Sequence, residues 1–239
     1  MRFREKFESL EEHGIDLFYC PRFAAPMRDI SAPDFIRRIL VQGLNARYLV
    51  VGDDFQFARR REGTIEHLNA VAAALDYDVE QVPSVIVNGL RVSSTAIRDA
   101  LGSGDMKTAS KLLGRPYRMS GKIVKGDRVG RTLGYPTANV ELRRRQSAVM
   151  GIFAVRVHGI DGGPHDAVAS VGSRPTFNGT KPILEVHIFD FDEDIYGKYI
   201  HVDFIAWLRD QVKFDMVEDL VAQMDVDADN ARSALAADA

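Results

Sequence analysis

The residues best suited to chemistry lie between Gly121 and Asn139, where four glycines and the basic trio Lys125, Arg128 and Arg131 fall within nineteen positions. Gly126, Gly130 and Gly134 permit tight turns and bring backbone N–H groups close to a ligand, which is how chains cradle phosphates. Pro136 stiffens the approach to a strand. In extended backbone Thr137 and Asn139 then project from one face, because side chains alternate with period two. Two neutral oxygens on one face suit a magnesium ion that keeps most of its water and takes its charge partner from substrate phosphate. A basic hairpin loop ahead of an ordinary strand is the alternative these residues leave open.

The familiar phosphate motifs do not fit. Gly126-x3-Gly130-Arg131-Thr132 is one residue short of a P-loop, has Arg for Lys, and runs into Gly134-Tyr135-Pro136 rather than opening a helix. A dinucleotide fingerprint fails for the same reason. Elsewhere, Val92-Ser93-Ser94-Thr95-Ala96-Ile97-Arg98 sets hydroxyls at a helix start with Arg98 one turn on, which is either an anion site or a plain N-cap beside a surface arginine. In Ile183–Phe189, Leu184, Val186 and Ile188 form an apolar face and leave Glu185 and His187 on the other. By spacing alone Glu185 is a solvated strand residue and His187 a structural one.

The elements that must hold these residues divide the chain. The first half alternates helix and strand: a helix over 2–13 stopped by Gly14, a short strand over 17–20, and a helix after the Ser31/Asp34 capping box. An apolar strand over 47–52, of the kind buried on both faces of a parallel sheet, follows. Next come a helix over 64–75, a strand over 79–87, and helices after Ser93 and Asp105. This predicts a doubly wound α/β domain that is incomplete, since it opens on a helix and offers three strands where five or six are usual. Beyond Leu112-Leu113-Gly114-Arg115-Pro116, six short strand-like runs (117–124, 137–142, 151–157, 167–171, 183–191 and 199–204) predict a small closed antiparallel barrel. A final helix begins near Met216, and its tail from Asp225 to Ala239 is expected to fray into solvent.

Composition narrows the partners. The chain has 239 residues, 46% hydrophobic and 27% charged, enough for two modest domains. Residues 1–115 carry 16 basic and 16 acidic side chains and residues 116–239 carry 15 and 18, so neither half has the cationic excess that nucleic-acid binding requires. No apolar run approaches a membrane span and no signal-peptide core follows Met1, which makes the cytoplasm the expected compartment. The single cysteine, Cys20, excludes an internal disulfide and is expected to be a small buried apolar side chain.

Gly-x-x-x-x-Gly followed by Gly130-Arg131-Thr132-Leu133-Gly134-Tyr135-Pro136-Thr137-Ala138-Asn139 resembles the signature of riboflavin kinases, specifically of the prokaryotic bifunctional riboflavin kinase/FMN adenylyltransferase (FAD synthetase) family. The resemblance implies a six-stranded Greek-key kinase barrel at 116–239. It also implies the C-terminal part of a Rossmann-like nucleotidyltransferase domain at 1–115. It makes Glu185 the catalytic base, gives Thr137 and Asn139 to Mg2+, and sets Gly121, Gly126, Arg131 and Tyr196 around ATP, with the first three in the covering loop. Arg209 and Phe214 fall to riboflavin or FMN, and Arg174-Pro175-Thr176-Phe177 becomes a shaped turn bordering the site. Asp53, in Gly52-Asp53-Asp54-Phe55-Gln56-Phe57, and Ser94, Thr95 and Arg98 match the family's adenylyltransferase ATP site, although residue 58 is Ala where the family has Gly. The family's His-x-Gly-His motif is not present: no two of His13, His67, His158, His165, His187 and His201 are three apart. The expected activity is therefore FMN formation, with adenylylation to FAD lost or impaired unless the missing segment lies upstream or on another chain. A barrel that binds single strands or stores a flavin is the rival from another class. Single-strand binding would need a cationic groove lined with aromatics, which the acidic second half disfavours.

Overall fold

The structure, a computed structural model, describes residues 3–126, 129–176 and 179–238. The chain forms two compact units, Ser9–Ile86 and a second made of Met1–Glu8 with Val87–Ala239. Among the described residues no helix is long and apolar enough to cross a membrane.

The first helix, α1 (Phe3–Glu12), forms as its spacing predicts and ends before Gly14 at φ 74. The helix does not bury its phenylalanines: Phe3 and Phe7 are exposed, whereas Glu5 is buried and paired with Arg144. That carboxylate also accepts the Ser120 N–H, so an ion pair and a backbone bond fasten the start of the chain to the barrel.

Within Ser9–Ile86, α2 (Ala25–Arg28) precedes α3 (Ala32–Asp34), which runs on as a π-helical stretch, Phe35–Gly43. Ser31 caps α3 by accepting the Asp34 N–H, as the capping pattern predicts. Strand β1 (Tyr48–Gly52) pairs in parallel with β2 (Asp78–Val82), and α4 (Ile65–Leu75) connects them, ending at Asp76 in the left-handed region. Ala32, Ile36, Phe57, Leu68 and Tyr77 form the core of this unit.

Four expectations fail here. Residues 17–20 form no strand, and Leu17 is 77% exposed; Cys20 is accordingly exposed rather than buried. The apolar run of β1 is not buried on both faces, because the sheet has only two strands and Tyr48 and Val50 remain exposed. The strand expected over 79–87 breaks at Pro83 into β2 and β3 (Ile86–Val87), which pairs with β4 (Leu90–Arg91).

Ala58 holds φ 65 and ψ −174, a conformation open in practice only to glycine and costing any other residue about 1–3 kcal/mol. Replacing Ala58 by Gly should therefore stabilise this unit by about 1 kcal/mol after the extra entropy of the unfolded chain, about 0.4–1 kcal/mol, is subtracted. Denaturant unfolding monitored on the full chain checks it. A loss of stability would mean that the Ala58 methyl, packed against the Phe57 cluster, matters more than the strain.

The second unit opens with α5 (Ser94–Gly102), capped by Ser93, and α6 (Met106–Leu113), capped by Asp105 and closed by Gly114 at φ 71. Ala100, Leu101, Met106 and Ala109 enter the barrel core, which explains why these helices belong to this unit. The barrel closes in the order β10-β5-β6-β9-β8-β7. Its strands are β5 (Tyr117–Val124), β6 (Ala138–Glu141), β7 (Gly151–His158), β8 (His165–Thr176), β9 (Gly179–Ile188) and β10 (Tyr199–Arg209). All neighbours are antiparallel. Period-two alternation drives the closure: Phe153, Val155, Leu184, Val186, Ile200, Val202 and Phe204 are at most 1% exposed, and each such large side chain contributes about 1.5–3 kcal/mol.

The last helix, α8 (Val217–Ala236), does not fray as its Ala/Asp-rich composition suggests. Ala231 and Leu235 are buried with Ala154 and Phe189, so small residues let it lie close against the barrel.

Candidate functional site

The face of β9 opposite the core carries the site. Leu184, Val186 and Ile188 point inward and are buried, which leaves Glu185 and His187 on the other face, as alternation predicts. Glu185 stands across from Asn139 on β6 and from Ser170 on β8. Two residues 46 positions apart in sequence are thus cross-strand neighbours.

Two cavities flank β9: the larger opens on this face, and the smaller is lined from β9 by the inward-facing Val186 and Ile188. One, about 370 Å³, is lined by Arg131, Pro136, Thr137, Tyr196 and the acidic run Asp192-Glu193-Asp194, among others. The other, about 740 Å³, is lined by Thr137, Asn139, Glu185 and His187 on one side and by Arg209, Gln211, Phe214 and Met224 on the other. Thr137 belongs to both walls.

The glycines act differently from a ligand-hugging loop. Gly121 lies inside β5, paired with Ile200, and not in a loop; a Cβ there would stand 2.6 Å from the Glu141 carbonyl oxygen, so β6 can approach only a glycine. At Gly130 a Cβ would meet the Tyr135 carbonyl oxygen at 2.3 Å, while the Gly130 carbonyl accepts the Leu133 and Tyr135 N–H groups. The loop closes on itself, and it contains one helical turn, α7 (Val129–Thr132), where none was expected. Lys125 precedes this turn, whereas Arg128 lies outside the described residues.

Gly126 bears most directly on the site. A Cβ there would fall 2.4–2.7 Å from all three terminal atoms of Asn139. Gly126→Ala should push the Asn139 amide aside and lower kcat/KM for the riboflavin phosphorylation that the resemblance implies by about 10²-fold, the scale of a 1 Å misplacement, with little change in melting temperature. Steady-state kinetics beside thermal melting checks it. A normal rate would show that Asn139 tolerates the shift.

At the far wall Arg209 is held on several sides. Its Nε and Nη2 donate to Asp227 at 2.8 and 2.6 Å, and its Nη1 donates to the Asp210 carbonyl at 2.8 Å. Two register shifts in β10, between Phe204 and Ala206 and between Trp207 and Arg209, bend the strand end at this point. The Phe214 ring lies 6.0 Å from the guanidinium carbon and is half-buried, so it is a cavity wall and not a core residue. Gln211 closes against Ser170 by donating to its hydroxyl at 2.8 Å. The segment Arg174–Thr176 continues β8 instead of turning, with Arg174 opposite Lys181; Phe177 lies outside the described residues.

On the loop side the Tyr135 hydroxyl donates to Asp225 on α8. Burial, that hydrogen bond and the nearby carboxylates Asp225, Asp229 and Asp227 push its pKa up to about 12, so it is a neutral donor throughout the physiological range.

The residues tied to the first half are divided between the units. Asp53 lies in Ser9–Ile86, where its carboxylate accepts the Ser84 N–H at 3.0 Å and hydroxyl at 2.7 Å. Ser94, Thr95 and Arg98 are exposed on the first turns of α5, and the adjacent Ser93 hydroxyl is taken up as the cap, accepting the Ala96 N–H.

Of the kinase residues read from sequence, Arg131, Tyr196, Thr137, Asn139, Glu185, Arg209 and Phe214 line one cavity or the other, and Gly121 and Gly126 support them from behind. Sequence reasoning missed Asp227, Gln211, Ser170 and Tyr135. Only Tyr135 carried a signal, being embedded in the Gly134–Asn139 motif. Among the described residues there is no cluster of three His, Cys, Asp or Glu that could hold a metal by itself.

Comparison with known proteins agrees along nearly the whole chain. The flavokinase (riboflavin kinase) family matches residues 113–235 and the FAD synthetase family residues 1–96. The bifunctional riboflavin kinase/FMN adenylyltransferase of Haemophilus influenzae is 38% identical over 233 residues, 98% of this chain and 76% of that protein. The protein of the same name from Escherichia coli K12 is 40% identical over 231 residues, covering 97% and 74%. This chain spans about three quarters of the length of both. A crystal structure described as that of a macrolide-efflux protein from Streptococcus pneumoniae aligns with a TM-score of 0.83 at 36% identity, covering 97% of this chain and 75% of that one. The identity, the coverage and the two family matches in succession establish that the chain belongs to the bifunctional riboflavin kinase/FMN adenylyltransferase family, with its barrel as the riboflavin kinase domain.

Proposed function

We propose that the chain converts riboflavin and ATP to FMN and ADP at the face of β9. The ribityl 5'-hydroxyl oxygen attacks the γ-phosphorus, the bond from that phosphorus to the ADP oxygen breaks, and the hydroxyl proton passes to the Glu185 carboxylate. The observation that carries this reading is the meeting of two cavities at Thr137, with Glu185 across from Asn139 in the larger one. ATP takes the smaller cavity beside Arg131 and Tyr196. Riboflavin takes the larger, its ring against Phe214 and the Arg209 wall.

Thr137 and Asn139 fit a magnesium ion: both are neutral oxygen donors beside the base, and Gly126 leaves space that lets the Asn139 amide sit where it does. Bound there, magnesium would neutralise phosphate charge during transfer. The chain's own residues orient the nucleotide, wall off the flavin and hold the proton acceptor.

In this reading residues 1–115 are the C-terminal part of an FMN adenylyltransferase domain, with Asp53, Ser94, Thr95 and Arg98 as remnants of its ATP site, and residues 116–239 are the kinase. We assign the activity to the cytoplasm, with small molecules as its partners and neither nucleic acid nor a membrane surface among them. Because these 239 residues carry no His-x-Gly-His, they are expected by themselves to stop at FMN. Chromatography of the products from riboflavin, ATP and magnesium tests both points. FMN without FAD is expected; FAD would overturn the second point, and absence of FMN the first.

A further inference from the structure

His187 has a role that its position on the strand does not explain. The β6–β9 ladder pairs Val140 with Leu184, Asn139 with Glu185 and Ala138 with Val186. Continuing that register sets Thr137 opposite His187, but here the chain turns through Pro136, which has no N–H to give to a ladder. A side chain makes the connection instead. His187 Nδ1 lies 2.9 Å from the Pro136 carbonyl oxygen. A carbonyl only accepts, so Nδ1 must carry the proton. The same ring meets Tyr135 edge-to-face at 4.9 Å and is backed by Phe189 at 5.8 Å, while Tyr135 is in turn tied to Asp225 on α8. The Pro136 carbonyl belongs to the peptide that leads into Thr137, so fixing it fixes the orientation from which the Thr137 side chain departs.

We propose that His187 is a positioning residue for the nucleotide end of the site: through Pro136 and Tyr135 it holds Thr137 at the junction of the two cavities. The inference deepens the kinase reading and rests on it. It differs from a proton-transfer role, because the bonded nitrogen is Nδ1 and the partner is backbone. It also differs from simple packing, because it requires a donor at one particular atom.

Three variants separate these roles. Asn at 187 can present an N–H near the position of Nδ1, Gln reaches the position of Nε2 instead, and Leu offers neither. His187→Asn should stay within about threefold of the parent in kcat/KM for ATP. His187→Gln and His187→Leu should lose about tenfold or more, the scale of one lost hydrogen bond that orients a reacting group. Because His187 also lines the larger cavity, riboflavin affinity is titrated by fluorescence in parallel, and any loss there should not follow the order Asn over Gln and Leu. Calorimetric titration with magnesium-ADP should show the same order without requiring turnover. Three results would overturn the proposal: Gln outperforming Asn, all three variants behaving like the parent, or equal losses for both substrates accompanied by a fall in melting temperature. If the parent chain forms no FMN, the kinase reading fails, whereas the order of magnesium-ADP affinities still reports on His187.

Discussion

Glu185→Gln should lower riboflavin phosphorylation by about 10²–10⁴-fold, the usual contribution of a positioned general base, while riboflavin still binds. Gln keeps the size of the side chain and an acceptor oxygen but has no carboxylate to receive the hydroxyl proton. Phosphoryl transfer gains mainly from positioning and charge neutralisation, so a residual rate supported by Thr137, Asn139 and Arg131 is expected rather than complete silence. The measurement is initial FMN formation at saturating ATP beside a fluorescence titration with riboflavin. Unchanged turnover would falsify the assignment of Glu185 as base. A loss of rate matched by a loss of flavin affinity would reduce it to a wall of the larger cavity.

The second large effect concerns the wall opposite. Asp227→Ala should destabilise the barrel unit by about 3–5 kcal/mol, because it leaves the Arg209 guanidinium uncompensated in a site where the two side chains are 22% and 7% exposed. Gln223, which donates to the same carboxylate at 3.0 Å, would lose its partner as well. For a chain of this length the melting temperature should fall by something on the order of 10 °C. Replacing both partners, as in Arg209→Met with Asp227→Leu, should recover much of that stability, since a matched apolar pair leaves no buried charge. Flavin affinity should not recover with it, because Arg209 and Asp227 both line the larger cavity. Thermal melting and flavin titration of the single and double variants check the two halves separately. A loss below about 1 kcal/mol in Asp227→Ala would place the pair with ordinary surface ion pairs.

This pair also changes the reading of Arg209. The resemblance presents an arginine available to a flavin or its new phosphate. In the fold its two terminal nitrogens and its Nε are engaged by Asp227 and the Asp210 carbonyl, so it serves first as a strut between β10 and α8. Nothing in the Asp225–Ala239 tail announces this. Asp225 and Asp227 look like solvated charges on an alanine-rich helix until α8 is laid against the barrel.

Local rules by themselves determined much of this protein. Alternation assigned the inner and outer faces of β9, capping residues located the starts of α3, α5 and α6, and Pro136-Thr137-Ala138-Asn139 marked the family. These features depend on residues within a turn or a strand of each other, so they survive without tertiary context. Tertiary structure decided what long-range pairing controls: that Glu185 faces Asn139, that Gly121 and Gly126 are glycines because β6 and the Asn139 amide come close, and that Asp227 is buried. It also overruled local hydrophobicity at β1 and at residues 17–20, where an apolar pattern calls for burial but a two-stranded sheet has too few neighbours to provide it. Periodicity states which face of an element seeks cover; only the packed chain determines whether cover is there.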